Sequence, residues 1–525
     1  MTPPRYMYAQ RLALQRLAGS RLQNDPHMLP ARALSMGERT NSEKPLQIMK
    51  FGGTSVADAD GIRNVVKIIR RATFTNDVVV VVSAMAGVTN QLVEAASCAE
   101  AGDEGTFAKI LTDLRAKHFS AVDTVIAPGE RRAALTSRLE NLFEYCEQLC
   151  SGTSLLRELT PRAKDAIWSL GERLSAPILA AALAESGVAS EPVEAADVIV
   201  TDSRHGAADP LMDLTQQKCQ THLRPLLDRG VVPVTTGFIG ATREGVLTIL
   251  GRGGSDYSAT IIGAALDANE VIIWTDVDGV LSADPGMVRS ARTVPEMSYR
   301  EAAEHAHFGA KVLHPKTLRA LMQCDFPVWV RNAFSPERPG TKITPDGSAK
   351  HTGVKAITAI SEISMIRVTG KGIASIPDAL SRTFATAAAI RADILLASHS
   401  SSRNDICLVV RTADAAQTAE ALRYEFVLDS ADDEGHIQVN NDAAIVTIIG
   451  HDLHGQAGLV GRTFAALGRA RVNVLASAQG SSACNISFVV ARKDVQKALE
   501  TTHREFSLGR TKSHERAPIL PKPNR

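Results

Sequence analysis

The sequence has few aromatic residues and no long apolar segment. Phe, Trp and Tyr make up 4% of its 525 residues, which argues against a surface on which nucleic-acid bases stack. The net charge of +1 gives no sign of a polyanionic partner. No apolar run reaches the roughly 18 residues that a membrane-spanning helix requires. We therefore expect neither a nucleic-acid partner nor a membrane partner.

The cysteines are not arranged as pairs. There are seven, scattered along the chain, without a C-x-x-C spacing. Disulfide frameworks and structural zinc sites use paired cysteines, so this pattern indicates a reducing compartment, which we take to be the cytoplasm, and no structural zinc. A chain of 525 residues exceeds one ordinary core, so we expect two to four domains.

The first 44 residues differ in composition from the rest. They contain six arginines and only three acidic residues, and they lack the apolar core of a secretory signal. The composition is compatible with an organellar transit peptide, with a disordered extension, or with a true start at Met28 or Met36. We expect a disordered leader.

The first chemically informative segment runs from Leu46 to Val56. An apolar strand leads into Gly52 and Gly53, with Lys50 just before them, and a helical pattern follows. Backbone N–H groups and a lysine in such a turn can bind phosphate oxygens. The lysine precedes the glycines, so this is not a Walker A loop. A solvated lysine at a strand end is the simpler interpretation of Lys50.

A second strand, glycine turn and helix occur between residues 245 and 266. The turn, Gly251-Arg-Gly-Gly-Ser-Asp256, contains a cation, a hydroxyl and a carboxylate. Arg252 can bind a carboxylate, and Asp256 can accept from an ammonium, as a zwitterionic amino acid requires. A plain glycine-rich turn with Ser or Asp at the helix start is an equally good interpretation of this motif alone.

Hydroxyl residues follow the most apolar strand of the chain. The run of valines over residues 77–82 is typical of a strand buried on both faces of a parallel sheet. Ser83 and Thr89 lie beyond its carboxyl end, where ligands bind in open α/β sheets.

These motifs together resemble those of the aspartate kinases, members of the amino acid kinase superfamily. They are Lys50-Phe-Gly-Gly-Thr-Ser-Val56, Val82-Ser-Ala-Met-Ala-Gly-Val-Thr-Asn90 and the turn that ends at Asp256. Further matches are Trp274-Thr-Asp-Val-Asp-Gly279 and Phe308-Gly-Ala-Lys-Val-Leu-His-Pro315. Each motif is modest, but their number, order and spacing make the set specific.

The resemblance assigns roles to individual residues. Lys50 and Asp256 would be catalytic. The implied substrate-binding residues are Ser83, Thr89, Glu172, Phe238, Arg252 and Ser255. The implied ATP-binding residues are Lys50, Phe51, Gly52, Gly53, Thr275, Asp276, Lys311 and Val312.

The chain departs from the family pattern at two positions near the nucleotide. Leu281 stands where the family often has tyrosine, and Gly286 where it often has arginine. An arginine beside a triphosphate would make a charge-assisted hydrogen bond, so its loss would weaken or alter nucleotide binding.

The implied reaction transfers the γ-phosphoryl group of ATP, with Mg²⁺ as cofactor, to the β-carboxylate of L-aspartate. That carboxylate, with a pKa of about 4, is already ionised at neutral pH, so neither an enzyme nucleophile nor a general base is required. Magnesium uses few protein ligands, so we expect it to arrive with the nucleotide, without a metal site of the protein's own.

The C-terminal part repeats itself at an offset of 80 residues. Arg382-Thr-Phe-Ala385 recurs as Arg462-Thr-Phe-Ala465, and Ser401-Ser402 recurs as Ser481-Ser482. The constant offset indicates a duplicated β-α-β-β-α unit, which is ferredoxin-like. The pair resembles tandem ACT domains, which are regulatory modules.

The second copy resembles the kinase half of bifunctional aspartokinase–homoserine dehydrogenases at Ala478-Gln-Gly-Ser-Ser482. Threonine is the usual effector there, and lysine is the other candidate. The implied allosteric residues are Gln479, Asn485 and Ile486. The first copy has His399 and Asp405 in place of the glutamine and asparagine, so the copies could differ in ligand, or one could be silent. A module that serves only dimerisation is the alternative.

We expect an α/β fold: an open, mainly parallel sheet of amino acid kinase type between helices, followed by two ferredoxin-like (ACT) α+β domains. The expected divisions are a disordered leader (1–44), a kinase domain (45–335), a linker (336–358), two ACT domains (359–435 and 436–510) and a disordered tail (511–525).

The leading hypothesis is a feedback-regulated, monofunctional aspartate kinase that forms a homodimer or homotetramer. It would catalyse the first step of lysine, threonine and methionine biosynthesis. Two alternatives stay open: a sister kinase acting on glutamate, acetylglutamate or UMP, and a catalytically weak or silent homologue that senses amino acids.

Overall fold

The computed structural model describes residues 44–309, 312–322, 324–347, 353–369, 375–400, 405–426, 437–479 and 482–509. The expected tail, and all of the expected leader except Lys44, lie outside these described residues. Within the described part of the chain, the helices are too short or too polar to cross a membrane.

The N-terminal part is built on parallel strands. In chain order its strands are β1 (Leu46–Phe51), β2 (Asp77–Val82), β3 (Ser190–Val193), β4 (Val232–Thr236), β5 (Ile239–Ala241), β6 (Leu247–Ile249), β7 (Glu270–Thr275), β8 (Glu296–Ser298), β9 (Val328–Asn332) and β10 (Thr341–Thr344). Eight of them form one sheet in the order β3-β4-β2-β1-β7-β9-β10-β8, and β5 with β6 forms a hairpin. All neighbours in the large sheet are parallel except β9 and β10.

Helices cover both faces of this sheet. They are α1 (Ala59–Ala72), α2 (Val88–Ala101), α3 (Glu104–Val125), α4 (Glu130–Leu156), α5 (Pro161–Trp168), α6 (Leu170–Glu185), α7 (Met212–His222), α8 (Arg224–Asp228), α9 (Gly254–Ala265), α10 (Tyr299–His307) and α11 (Pro315–Leu321). The valines of β2 alternate between two buried clusters, one on each face, as expected for the middle of a parallel sheet.

Helices α3 and α4 are the two longest helices of the kinase part and lie between β2 and β3 in the chain. Phe107, Leu111 and Leu114 of α3 are buried in the core cluster on one face of the sheet. Nζ of Lys117 on the same helix donates to the carbonyl of Ala86, 2.5 Å away in the turn after β2. Helix α3 therefore reaches the carboxyl ends of the strands.

The C-terminal part is an antiparallel sheet with helices on one side. Its strands are β11 (Gly353–Val368), β12 (Ile394–Ser400), β13 (Asp405–Arg411), β14 (Ile437–His451), β15 (Val474–Ala478) and β16 (Asn485–Ala491). Its helices are α12 (Ile376–Ala389), α13 (Thr412–Phe426), α14 (Leu459–Arg469) and α15 (Val495–Glu505). The strand order is β12-β13-β11-β14-β16-β15. Both copies thus have the β-α-β-β-α order that the repeat predicts.

The two long central strands each serve both copies. Residues 363–368 of β11 pair with β13 and with the first part of β14, whereas residues 353–360 pair with the second part of β14. Residues 443–449 of β14 pair with β16. Each copy therefore completes its four-stranded sheet with half of a strand from the other copy.

The region expected to be a linker, 336–358, contains regular structure. Strand β10 lies within it and belongs to the kinase sheet, and the first residues of β11 belong to the second ACT copy. The Pro and Gly content that suggested a linker occurs in the turns around β10. The structure therefore differs from the expectation here, whereas the other divisions stay expectations.

A buried ion pair joins the two parts. Nζ of Lys355 on β11 lies 2.9 Å from Oε2 of Glu301 on α10, and both side chains are at least 94% buried, with exposed fractions of 6% and 0%. Glu301 also forms a capping box with Ser298 at the start of α10. The pair thus ties a kinase helix to the ACT sheet.

We expect Lys355→Met to lower the free energy of unfolding by about 3–5 kcal/mol, because it leaves a buried carboxylate without its cation. The double variant Lys355→Met/Glu301→Gln should regain most of this loss, since glutamine keeps the capping box and removes the charge. Urea denaturation followed by circular dichroism measures both.

The control is Lys497→Met on the exposed face of α15, which should change stability by less than about 0.5 kcal/mol. A single variant as stable as the wild-type protein would show that the ion pair contributes nothing.

Candidate active site

The carboxyl ends of four adjacent parallel strands meet at one edge of the kinase sheet. Lys50 lies at the end of β1, Ser83 follows β2, Gly237 follows β4, and Thr275 ends β7. The N–H of Ser83 donates to the carbonyl of Phe51 at 3.1 Å, which locks the first two strand ends together. Ligands bind at this edge in open α/β sheets.

Lys50 and Asp256 form an ion pair at this edge. The lysine Nζ lies 2.5 Å from Oδ1 of Asp256, and the exposed fractions of the two side chains are 11% and 14%. Asp256 is in the first turn of α9, so the two glycine turns that the sequence singled out lie side by side. The resemblance makes Lys50 and Asp256 catalytic, which requires the two turns to share one site.

Glu172 lies beside this pair in the first turn of α6. It is buried, and its Oε2 has no hydrogen-bond partner among the described residues. Burial raises the pKa of Glu172 to about 8, although the backbone N–H of Ala84 and the charge of Lys50 act in the opposite direction. A buried carboxylate oxygen without a donor is suited to accept from a ligand ammonium.

Two glycines allow the turns to approach each other. A Cβ on Gly53 would lie 2.6 Å from the carbonyl oxygen of Ala84, and a Cβ on Gly237 would lie 2.6 Å from Oγ of Ser255. A side chain at Gly53 would displace the turn after β1, and a side chain at Gly237 would displace the start of α9. The glycines thus keep Ser255, which is buried, next to the strand ends.

Phe238 has a backbone conformation that is costly for a bulky residue. Its φ is 69°, in the left-handed region. Its N–H donates to Oγ of Ser258 at 3.0 Å, and its ring packs against Gly254 at the start of α9. Such strain is tolerated where the surrounding structure fixes it, commonly at binding sites.

Arg252 is exposed in the turn before α9. His314 packs against Gly253 in this turn. Burial lowers the pKa of His314, and the charges of Lys316 and Arg252 lower it further, whereas Asp256 raises it. The cation of Arg252 therefore lies on the same side of the sheet as the ion pair of Lys50.

The expected nucleotide residues lie at the neighbouring strand end. The N–H of Gly52 donates to the carbonyl of Trp274 at 3.2 Å, which brings the first glycine turn next to Thr275. Asp276 is exposed, and Oγ1 of Thr275 donates to its carboxylate at 3.2 Å. The exposed carboxylate of Asp276 is available to a ligand at this point, whereas the N–H of Gly52 is already bonded to Trp274.

Other ATP-binding candidates are placed differently. The side chain of Phe51 is fully buried and stacks on Trp274, with ring centroids 6.1 Å apart, so only its backbone is available to a ligand. Val312 is half-buried and packs against two core clusters. Lys311 lies outside the described residues. Thr89 is half-buried in the first turn of α2, after the turn that carries Ser83.

The structure also places Leu281 and Gly286, the two residues that depart from the family pattern. Leu281 is half-buried, and its carbonyl accepts a hydrogen bond from the ring of His305. The N–H of Gly286 donates to Asp284 at 2.8 Å in an exposed turn. Neither residue supplies a side chain that could replace the missing tyrosine hydroxyl or arginine charge.

Some residues of the site were missed. Asp165 and His205 form a hydrogen bond next to the Arg252 turn, and Nζ of Lys316 donates to the carbonyl of Leu250 at 3.3 Å. Burial raises the pKa of Asp165, against hydrogen bonds from His205 and from backbone N–H groups. Lys316 directly follows the motif of residues 308–315, which includes His314, so that motif could have drawn attention to it. No local sequence pattern identifies the pair of Asp165 and His205.

The allosteric candidates lie on the second ACT copy. Gln479 is exposed at the end of β15, and Ile486 is buried in the core of that copy. Nδ2 of Asn485 donates to the carboxylate of Glu304 on α10 at 2.5 Å. The three residues are therefore close together in the sheet, but Gln479 is exposed, Ile486 is buried and Asn485 is bonded to α10.

A cavity of about 640 Å³ lies on the first ACT copy. Arg367 and Asp405 form an ion pair of 2.5 Å at its wall, and His399 lines it as well. Thr447 and Asn485 occupy the equivalent places in the second copy. The two copies thus differ in charge where their sequences predicted a difference.

Comparison with protein families identifies both parts of the chain. Residues 45–332 match the amino acid kinase family, and residues 366–426 and 446–506 match the ACT domain. Aspartokinase 3, chloroplastic, of Arabidopsis thaliana is 31% identical over 492 residues, which are 91% of this chain and 85% of that relative. Bifunctional aspartokinase/homoserine dehydrogenase 1, chloroplastic, of the same plant is 31% identical over 471 residues, which are 88% of this chain and 51% of that relative. The chain spans about half the length of such bifunctional relatives.

Solved structures agree with these matches. E. coli aspartokinase III in complex with aspartate and ADP superposes with a TM-score of 0.75 at 29% identity, covering 88% of this chain and 100% of the other. The same enzyme in complex with lysine and aspartate gives a TM-score of 0.70 at 28% identity, covering 88% and 99%. The resemblance and the fold class inferred from the motifs are confirmed: this chain belongs to the aspartokinase family, with an amino acid kinase domain followed by two ACT domains.

Proposed function

We propose that this protein is an aspartate kinase, which uses ATP to convert L-aspartate to 4-phospho-L-aspartate, the first step of lysine, threonine and methionine biosynthesis. The observation that carries the proposal is the cluster of Lys50, Asp256 and Glu172 where the strand ends meet. The aspartate and ADP bound by E. coli aspartokinase III support this choice of substrates.

The main obstacle to this reaction is electrostatic. The β-carboxylate of aspartate and the triphosphate are both anionic, so bringing them together costs Coulomb energy. Lys50 offers a fixed, largely buried positive charge at the strand end, where it stabilises the charge that develops on the transferred group. Alignment of an already ionised nucleophile supplies the rest of the rate enhancement.

The remaining polar groups would hold the amino acid. Arg252 binds its α-carboxylate, Glu172 and Asp256 accept from its ammonium, and Ser83 and Thr89 orient the β-carboxylate that attacks. Phe238 forms a wall of the pocket, and Ser255 adds a hydroxyl at the start of α9. The positive end of that helix favours bound carboxylates.

ATP would occupy the neighbouring strand ends. The backbone of Phe51, Gly52 and Gly53 meets its phosphates, and Thr275 and Asp276 meet the nucleoside side. Lys311 and Val312 complete the proposed set by resemblance to the family.

Magnesium would accompany the nucleotide. The described residues contain no group of three or more His, Cys, Asp or Glu side chains that could hold a metal ion. Magnesium bound mainly by phosphate and water fits such surroundings, and it would add positive charge to the transferred group.

The ACT copies would make the enzyme responsive to an amino acid, threonine or lysine. The lysine bound by E. coli aspartokinase III supports an amino-acid effector. Gln479, Asn485 and Ile486 form the proposed effector region, and the enzyme would act in the cytoplasm as a homodimer or homotetramer.

We expect release of ADP that depends on both ATP and aspartate, together with an acyl phosphate that hydroxylamine traps as a hydroxamate. Lys50→Met should reduce kcat by at least about 10²-fold, because it removes the cation that faces the transferred group. The exposed Lys67→Met on α1 is the matched control and should keep wild-type turnover.

Absence of aspartate-dependent turnover in the wild-type protein would reject the proposal and favour the silent sensor. Turnover with glutamate, acetylglutamate or UMP in place of aspartate would favour a sister kinase.

Glu172→Gln should stabilise the ligand-free protein while weakening aspartate binding. The pKa of Glu172 rises from 4.5 to about 8 on folding. Between these values the folded protein holds a proton that the unfolded chain has lost, so stability falls as pH rises through this window. Glutamine cannot lose that proton, so the melting temperature of the variant should increasingly exceed that of the wild type from about pH 5 to pH 8.

Differential scanning fluorimetry across this pH range measures the difference, and the KM for aspartate should increase in the same variant. Glu130→Gln at the exposed start of α4 controls for loss of one negative charge. A constant difference in melting temperature across the range would contradict the assignment.

Gln479→Ala should raise the effector concentration that gives half-maximal inhibition by about tenfold, the loss expected for one hydrogen bond to a charged ligand. Inhibition curves with threonine and with lysine measure this and identify the effector. His399→Ala, at the equivalent position of the first copy, shows which copy responds. Unchanged sensitivity in the Gln479 variant would place the effector elsewhere.

A further inference from the structure

Asp165 on α5 is a fully buried carboxylate outside the group of residues assigned so far. One of its oxygens lies 2.7 Å from Nδ1 of His205, and the other accepts from the N–H of Gly206 at 3.0 Å. An ionised carboxylate only accepts hydrogen bonds, so Nδ1 carries the proton in this pair. Burial of such a charge is costly without these donors, so the loop that supplies them is held firmly.

That loop lies against the turn that carries Arg252. The N–H of Ala208 donates to the carbonyl of Ile249 at 2.9 Å, just before the turn begins. The carbonyl oxygen of Gly206 lies 3.0 Å from the position that a Cβ on Gly251 would occupy. A shift of the loop would therefore move the backbone on both sides of Leu250.

The loop has further anchors on the same turn. Nζ of Lys316 donates to the carbonyls of Leu250 and Ala207 at 3.3 and 3.4 Å. The guanidinium of Arg204 pairs with Asp202 and Asp209 across the loop itself. These exposed contacts keep the loop folded, whereas the buried carboxylate fixes it to α5.

The backbone of Asp165 lies one helical turn before α6. Its carbonyl accepts from the N–H of Ser169 at 3.1 Å, where α5 ends and α6 begins. Glu172 is in the first turn of α6. The carboxylate of Asp165 thus holds the loop beside the Arg252 turn to α5, and the backbone of α5 continues into the helix that carries Glu172.

We propose that Asp165 and His205 are positioning residues, which set the distance between Glu172 and Arg252 and thereby the fit of the α-amino acid end of the substrate. This inference rests on the proposed function. Neither side chain is among the groups that meet the transferred phosphoryl group or the nucleotide, so the pair governs the KM for aspartate and leaves the KM for ATP unchanged.

His205→Leu is the test variant, because its side chain is one-fifth exposed and the substitution keeps Asp165 itself, which still accepts from the N–H of Gly206. His205→Asn is the conservative variant, since its amide nitrogen can donate from nearly the same place as Nδ1. We expect the leucine variant to raise the KM for aspartate about tenfold, with KM for ATP and kcat within about twofold, and the asparagine variant to restore the KM. The exposed His222→Leu controls for the loss of a histidine.

Hydrogen–deuterium exchange gives a readout that needs no turnover. Amides of residues 250–254 should exchange faster in His205→Leu than in the wild type and in His205→Asn. Unchanged exchange, an unchanged KM for aspartate, or an equal rise in both KM values would overturn the positioning role. If the wild type fails to phosphorylate aspartate, the proposed function falls, and the exchange comparison still decides whether the pair holds the turn.

Discussion

The placement of a largely buried lysine beside two carboxylates is the constraint on which the catalytic part depends. Lys50 forms an ion pair with Asp256 and lies close enough to Glu172 to act on its pKa. Burial favours the protonated form of Glu172, and the charge of Lys50 opposes this effect. The cation comes from the end of a central strand, and the carboxylates come from the first turns of two helices. Only a packed parallel sheet with close glycine turns brings these three groups together.

The junction between the kinase part and the second ACT copy also contains buried charges that require a partner of opposite charge. Lys355 and Glu301 neutralise each other inside it, and Oγ of Ser282 lies 2.9 Å from Nε2 of His503. Ala283 and Val288, which lie beyond Asp276 in the chain, pack into the apolar core of the ACT copy. The junction thus contains an apolar cluster shared by both parts of the chain and a buried ion pair.

Local patterns were sufficient for most of the fold. The valine run of β2 and the repeated Arg-Thr-Phe-Ala motif each consist of a few neighbouring residues, and the structure contains the corresponding elements. The sharing of β11 and β14 between the copies could not be predicted in this way, because strand pairing is decided by residues far apart in sequence. The linker expectation differed from the structure for this reason, since a strand completed by a distant partner has no local signature.

The candidate site likewise contains residues that local motifs predict and residues that they do not. Each motif consists of a strand, a turn and a helix in direct succession, so the motifs predict that Lys50, Arg252 and Asp256 lie at the same edge of the sheet. A motif does not show which atoms of its residues face a ligand, so Phe51 was assigned to ATP although its side chain is buried. Asp165 and His205 meet across 40 positions of sequence, and neither belongs to a recurring turn. Pairs of this kind become visible only when the loops are placed.

Helix α10 shows how such long-range contacts join the two parts of the chain. Glu304 accepts from Asn485 on the ACT sheet, and the adjacent His305 bonds the carbonyl of Leu281, a few residues beyond Asp276. Burial lowers the pKa of His305 to about 4, so the ring is neutral at physiological pH and this hydrogen bond does not depend on its protonation. A single short helix thus contacts both the region proposed to bind an effector and the segment that follows the region proposed to bind ATP.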